Sequence, residues 1–580
     1  MAPRIPRGNR STTTPPVPTS LTPVRGIPTS RHTRPWLGVA IGLVLLAGPA
    51  LAACSAVTPA GGSTGTAGSA AGAGGDTFGS PATASQVKTG GELVVALSAE
   101  PDALDPTTSR SLYSRYIFET MCQKLYDVDQ NARVVPQLAT ALPVMSDGGR
   151  TVTIAVRDGV KFADGTPFDA AAVKSTLQRD LTLAGSGRKS ELGPITGVDA
   201  PDAKTVVIHL STPFAPLTAA LTDRAGMILS PTATASLGKN FGTAPVCVGP
   251  FKFSNRVPQS TIEVVKDPSY YDAASVHLDK ITYRIITDAS IRAANLKSRD
   301  VQVADSVSPQ DVASISGTAG LSVLRSGSLG YQGLTFNVGT VDGVGKPAKR
   351  IDRPEASDHR VRQAFEAAID RTTLNQVVFN GAFTVACSPI SPKTEYSSSA
   401  AQTCPAHDVA KAKQLLKDAG VTVPFPLEMQ VSNNPDSLRL AQALQAMVKE
   451  GGFDLQIKPV EYASLLDLQD KGEFSLLLLG WSGRIDPDAN ITNFVGTGGS
   501  QNVAGYNDPA VDALLGQARQ AQDTATRRDL YGQVVTKLHA SDPLVYLYRP
   551  NNLTGVSSKT AGVQVFPDGV LRLAFAGLTK

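Results

Sequence analysis

The sequence predicts an α/β protein, and three observations carry that prediction. Residues 424–481 alternate strand-like and helix-like apolar periods, a pattern that calls for a parallel sheet covered by helices. Short alternating runs at 151–156, 205–210 and 261–265 add strands elsewhere. The third observation is size: 580 residues, 42% hydrophobic and 18% charged, are enough for two to four domains with a sizeable core.

The elements follow in order. Residues 169–181 read as a helix with Ala172, Val173 and Leu177 on one face, after a turn at 161–168. Asp358 is placed to cap a helix over 359–371 that buries Val361, Ala364, Phe365, Ala368 and Ile369. Leu427, Met429 and Val431 alternate as a strand. A helix over 436–450 then buries Leu440, Leu444, Met447 and Val448 and ends at Gly451-Gly452. Leu455 and Ile457 form the next strand, 461–470 a helix, and 474–481 (FSLLLLGW) a strand buried on both faces. Pro509 opens a helix at its first turn, a second helix covers 527–538, and 544–548 returns as a strand. In open α/β sheets, ligands sit beyond the carboxyl ends of the strands. That end here is Trp481, followed by the polar loop Ser482-Gly483-Arg484-Ile485-Asp486-Pro487-Asp488.

The formal charge of +4 is unevenly distributed. Six arginines lie within the first 34 residues, and no acid precedes Asp76. An uncharged run over 37–53 then ends at Cys54. As a helix it would span about 25 Å, short of the roughly 30 Å hydrocarbon core. A basic start, a short apolar stretch and a small-residue exit form a secretory signal over 1–53. Leu51-Ala52-Ala53-Cys54 resembles the bacterial lipobox, which makes Cys54 the lipidated first residue of the mature chain; an uncleaved single-span anchor is the alternative. Without residues 1–53 the chain keeps 48 basic and 50 acidic residues, a net of −2, so nothing electrostatic favours nucleic acid. Residues 54–87, poor in charge and in large apolar side chains, read as a flexible tether or a frayed terminus.

Four further cysteines in an exported chain suggest two disulfides, Cys122–Cys247 and Cys387–Cys404, with buried thiols the alternative. No C-x-x-C occurs and the six histidines are scattered, so no metal or other cofactor is expected. No H-E-x-x-H zinc pair or G-x-x-x-x-G-K-[ST] phosphate loop is present, and no residue is assigned as catalytic.

A series of short segments carries a resemblance. Gly90-Gly91-Glu92-Leu93, Pro101-Asp102-Ala103-Leu104-Asp105-Pro106, Leu125-Tyr126-Asp127 and Val135-Pro136-Gln137-Leu138-Ala139 come first. RDGVKFADGTP at 157–167 and Val248-Gly249-Pro250-Phe251 follow. Val361-Arg362-Gln363-Ala364 with Ala368-Ile369-Asp370-Arg371, and Tyr506-Asn507-Asp508-Pro509, complete the series. In this order they resemble the family 5 extracellular solute-binding proteins of ATP-binding-cassette importers.

The resemblance implies a two-lobed fold of the periplasmic-binding-protein type (type II, cluster C-like). Lobe I would span 88–335 with a small domain inserted at about 128–242, lobe II 336–545, and 546–580 would return to lobe I, with hinge crossings near Phe336 and Tyr546. The chain would then be a monomer held by lipid at the outer face of the cell membrane. It would capture a peptide, or an anionic or zwitterionic metabolite, for a permease driven by cytoplasmic ATPases. A secreted surface hydrolase or a non-transport scaffold is the rival reading. Peptide binders of the family pair the peptide's ammonium with an Asp three residues after a Trp; here Arg484 stands there. It is either an anchor for a carboxylate or the partner of Asp486 or Asp488. Asp486 is also a candidate for the solute's amine. Trp481 is a stacking platform or core filling, Ser482 opens the loop, and Glu100 and Tyr331 are the lobe I candidates.

Overall fold

The computed structural model describes residues 76–79 and 86–580. The signal segment, Cys54 and most of the tether lie outside the described residues. The tether's end is tied to the body earlier than expected. Thr77 exchanges backbone hydrogen bonds with Arg325 at 2.7 and 3.0 Å, and Asp76 pairs with Lys393 at 2.5 Å.

Two mixed sheets organise the described chain. The first has seven strands in the order Leu321–Gly327, Asn551–Ser557, Val303–Ala304, Glu92–Leu97, Lys280–Ile285, Thr261–Lys266, Phe251–Val257. Glu92–Leu97 pairs parallel with both of its neighbours, and every other pairing in this sheet is antiparallel. The second has six strands: Thr384–Val385, Leu544–Arg549, Tyr331–Phe336, Leu476–Trp481, Phe425–Ser432, Phe453–Val460. Phe425–Ser432 is parallel to both of its neighbours.

The strand–helix alternation over 424–481 folds as expected. Helix Pro435–Glu450 covers the sheet through Leu440, Leu444 and Val448, and helix Tyr462–Lys471 leads into Leu476–Trp481. The helix expected over 359–371 is two. His359–Ala367 ends, and Asp370 accepts from the backbone N–H groups of Thr372 and Thr373, both at 3.0 Å, to start Arg371–Phe379. Asp370 thus caps a second helix instead of lying inside a single one over 359–371.

A separate antiparallel sheet joins Val144–Ser146, Thr151–Ala155, Thr205–Leu210 and Ile195–Asp202. Its Val152, Ile154, Val206 and Ile208 belong to the same apolar cluster as Leu93, Val95 and Phe118. This sheet therefore shares the core of lobe I.

The chain leaves the seven-stranded sheet at Gly327, enters the six-stranded one at Tyr331, and returns between Arg549 and Asn551. Phe336 and Tyr546, the expected crossings, lie inside lobe II strands because Tyr331–Phe336 pairs along its whole length with Leu476–Trp481. Beside the first crossing two backbones touch. A Cβ on Gly330 would lie 1.9 Å from the Trp481 carbonyl oxygen. One on Gly483 (φ +86°) would lie 2.4 Å from the Gly330 nitrogen.

Both expected disulfides are formed. Cys122–Cys247 ties the end of helix Leu112–Met121 to the approach of strand Phe251–Val257, and Cys387–Cys404 closes the Ser-rich loop of lobe II.

Candidate functional site

The two sheets close on a cavity of 330 Å³ lined from both lobes. Lobe I contributes Arg110, Tyr113, Tyr116 and Arg292; lobe II contributes Tyr331, Asp436, Tyr462, Trp481 and Ser482.

Local sequence sets these side chains. Asp102, in the Pro101-Asp102 segment, accepts from the Arg110 and Ser111 backbone N–H groups at 2.6 and 3.2 Å and from Ser114 Oγ at 2.6 Å. Ser111 caps the helix through Ser114 N–H at 3.1 Å. That fixed helix start presents Tyr113 and Tyr116, three residues apart, to the cavity. Across it, Asn434 caps helix Pro435–Glu450 and places Asp436 in the first turn, while Tyr462 is the first residue of its helix. Each follows the carboxyl end of a parallel strand, Phe425–Ser432 or Phe453–Val460.

The lobes touch around the cavity. Tyr113 meets Tyr462 edge-on at 5.5 Å, Arg110 pairs with Asp470, and Gln310 Nε2 donates to the Val378 carbonyl at 2.6 Å. The described conformation is therefore closed.

The walls are aromatic and neutral. Burial, then Asp305, pushes the Tyr113 phenol up to about 12, and burial likewise raises Tyr116, Tyr331 and Tyr462. Formal charge comes from Arg110, Arg292 and Asp436. Arg292 donates to the carbonyls of Ile286, Thr287, Asp305 and Ser306 at 2.8–3.2 Å, which orient it, and its Nε stands 3.8 Å from the Asp305 carboxylate. The Tyr331 hydroxyl is buried with no hydrogen-bond partner.

Of the residues proposed from sequence, Trp481, Ser482 and Tyr331 line this cavity, Tyr331 from a strand of lobe II and not from lobe I as expected. Trp481 is both wall and support, since its indole N–H donates to Asn490 Oδ1 at 2.8 Å. Three others do not line it. Arg484 turns behind the wall, stacks on the Trp481 ring at 4.3 Å and pairs with Asp223 of lobe I. Its partner is neither Asp486 nor Asp488, and it is not the anchor in the cavity that its position suggested. Asp486 is buried in a bidentate pair with Arg527 at 2.7 and 2.8 Å, so it is not placed to take a solute's amine. Glu100 is held by Arg256 and by the Gln259 backbone N–H at 2.9 Å, a contact inside lobe I. Sequence reasoning missed Arg110, Tyr113, Tyr116, Arg292, Asp436 and Tyr462. The signal for two of them was available: Asp436 and Tyr462 obey the same strand-end rule that pointed to Trp481.

Two α/β lobes, joined by two crossings and closed over a cavity that both line, define a hinged solute-binding protein. Residues 133–502 match the model of the bacterial extracellular solute-binding proteins, family 5 (middle), and the chain belongs to that family. It is 29% identical to the glutathione-binding protein GsiB of Pectobacterium atrosepticum over 86% of this chain and 96% of that one. Against GsiB of Escherichia coli K12 the identity is 28%, covering 82% and 92%. Among solved structures, AgaA of Agrobacterium tumefaciens R10 with agropinic acid aligns with a TM-score of 0.74 and 27% identity over 84% of this chain and 96% of that one. DppA of Helicobacter pylori with the peptide STSA aligns with a TM-score of 0.77 at 24% identity, covering 85% and 99%, a likeness of fold. The chain is thus an extracytoplasmic substrate-binding protein of an ATP-binding-cassette importer, in a family of binding proteins.

Proposed function

We propose that the solute is a small zwitterion with at least one free carboxylate, in the class of short peptides and amino-acid conjugates. The observation that carries this is the charge of the cavity. Two guanidiniums, Arg110 and Arg292, and one carboxylate, Asp436, reach its surface, each also held by a partner behind it (Asp470, Asp305 and Arg439), across neutral aromatic walls enclosing 330 Å³, near the lower end of small-ligand sites. The ligands of similar proteins, glutathione and agropinic acid, support the same class. Trp481, Tyr331 and Ser482 form the lobe II wall against which it lies. Contacts to both lobes stabilise the closed form, so binding shifts a hinge equilibrium, and the loaded form docks on a permease that ATPase subunits drive. In this reading a monomer, exported by residues 1–53, is held at the outer membrane face by lipid on Cys54.

The experiment is native mass spectrometry of gently purified protein followed by denaturing extraction. The expected result is one small carboxylate-bearing zwitterion or a ladder of short peptides. A neutral sugar or a purely cationic solute would overturn the reading.

A further inference from the structure

The aromatic side chains that line the solute cavity fall into separate groups. Tyr113 meets Tyr116 and Tyr462 edge-on at 6.0 and 5.5 Å, and all three carry hydroxyls. A second group is less polar: Phe379, Phe383 and Tyr548 of lobe II, with ring centroids 4.6–5.2 Å apart and Phe383 stacked on Tyr548 at 15°. Local sequence builds this second group. Helix Arg371–Phe379 stops at Asn380, whose φ of +54°, followed by +71° at Gly381, turns the chain back. Asn375 then holds Phe383 from the helix, Nδ2 donating to its carbonyl at 2.7 Å and Oδ1 accepting from its N–H at 3.3 Å.

Lobe I supplies the opposite side. Val307, Pro309 and Leu553 line the same cavity, and Phe383 packs against the apolar cluster that holds Val307 and Leu553. Two hydrogen bonds pin the sides together: Gln310 Nε2 donates to the Val378 carbonyl at 2.6 Å, and Asn551 Nδ2 to the Ala382 carbonyl at 2.7 Å. One carboxylate stands at the edge. Asp436, the only acid lining the cavity among the described residues, accepts from Ser308 Oγ at 3.2 Å and pairs with Arg439. Burial, then Asp436, raises the Tyr548 phenol, so the carboxylate lies close to the rings. With the lobes apart, both sides of this slot face water. When they close, whatever part of the solute lies between them is buried from both. A polar group there would lose its hydration without a partner, whereas an apolar one gains about as much as a core side chain.

We propose that the slot between Phe379, Phe383 and Tyr548 on one side and Val307, Pro309 and Leu553 on the other takes a large apolar side chain of the solute, with Asp436 receiving the ammonium of the same residue. The inference rests on the zwitterion reading and narrows it, from any carboxylate-bearing zwitterion to one with an apolar group beside its free amine. Because each lobe supplies one side of the slot, the group that sets selectivity also favours closure.

The test is titration calorimetry of the full chain with phenylalanyl-alanine against alanyl-alanine, two dipeptides of equal charge. The natural chain should bind the first about tenfold more tightly, the gain expected for burying one large apolar side chain. Phe383→Ser, at a half-buried position, should cut that ratio to about twofold, whereas a general loss of fit would weaken both dipeptides alike and leave the ratio as it was. Should Phe383→Ser not fold, Val307→Thr, which keeps the shape and adds a hydroxyl, makes the same test from lobe I and should lower the ratio severalfold. The natural chain should also prefer phenylalanyl-alanine to its N-acetyl form by about tenfold, and Asp436→Asn should remove that preference; a preference that the variant keeps overturns the role given to Asp436. A ratio near one between the two dipeptides in the natural chain, or a tenfold ratio that the folded variant keeps, overturns the slot and leaves the zwitterion reading standing. Binding of neither dipeptide overturns the slot as well, and the extraction described above then judges the reading separately: a carboxylate-bearing zwitterion retains it, and a neutral or cationic solute does not.

Discussion

Lobe II and lobe I are assembled by opposite strategies. The six-stranded sheet of lobe II comes from one continuous stretch, Tyr331 to Arg549, and the two buried acids of the loop after Trp481 are each matched by an arginine of the same lobe: Asp486 by Arg527, Asp488 by Arg519. The seven-stranded sheet of lobe I gathers distant segments, from Glu92–Leu97 to Asn551–Ser557, and at its border with lobe II one carboxylate, Asp223, serves three arginines. The contrast teaches that the acids of this loop are held within their own lobe, whereas a carboxylate shared among arginines of both lobes sits where the lobes meet.

The disulfides offer the largest test of this difference. Cys122–Cys247 closes 125 residues of lobe I, and Cys387–Cys404 closes 17 in lobe II. Replacing the first pair by Ser should lower the unfolding free energy by about 5 kcal/mol, and replacing the second by about 3, in denaturant titrations. Equal losses would mean that lobe I does not depend on its long-range tie.

Asp486→Ala comes next, because it strands Arg527 in a buried site. A loss of at least about 3 kcal/mol is expected, with no change in radius of gyration by small-angle scattering. Asp223→Ala should be destabilising too, and should also expand the molecule by disturbing the border between the lobes. If both variants scatter alike, the distinction between an acid held within its lobe and one shared by both fails.

A smaller, pH-dependent effect separates the lobes again. Burial raises Asp180 in lobe I to about 7, and burial together with Glu366 raises Asp542 in lobe II to about 9. Both native pKa values lie above the unfolded 3.8, so the native state holds protons that the unfolded state has released. Their contributions are fully present below about pH 4. Asp180's is lost as pH rises to about 7, and Asp542's continues to fall up to about 9. Asp542→Asn should therefore flatten the stability profile between pH 7 and 9, while Asp180→Asn should flatten only the part below 7. Chemical denaturation across that range reads both.

The smallest effect belongs to Glu100→Gln, which weakens a partly exposed pair with Arg256. About 1 kcal/mol of stability should go, and titration calorimetry should find solute affinity unchanged.

The same contrast explains what could be read from sequence. Residues 424–481 are legible because Phe425–Ser432 finds both of its partners within sixty residues and each helix carries its own apolar stripe; only the pairing of Leu476–Trp481 with Tyr331–Phe336 is long-range. Val303–Ala304, two residues in the middle of a seven-stranded sheet, leaves no periodicity to detect. At the site, Trp481 and Ser482 followed from the strand-end rule alone. Arg484 was misjudged because its partner, Asp223, lies far back in the chain, and no local pattern reports such a pairing. Arg110, Tyr113 and Arg292 reach the cavity only through the way lobe I is folded, so their roles were invisible for the same reason.

The contact between Gly330 and Gly483 has a practical consequence for building an optical sensor from this protein. With backbone against backbone there, strand Tyr331–Phe336 and the loop after Trp481 form one rigid piece, and neither glycine tolerates a dye-bearing cysteine. The swing is then left to residues 328–329 and to the return at Pro550, whose ring restricts its backbone. Fluorophores belong on the outer rims of the lobes, where a small rotation about so short a pivot is read out as a large displacement.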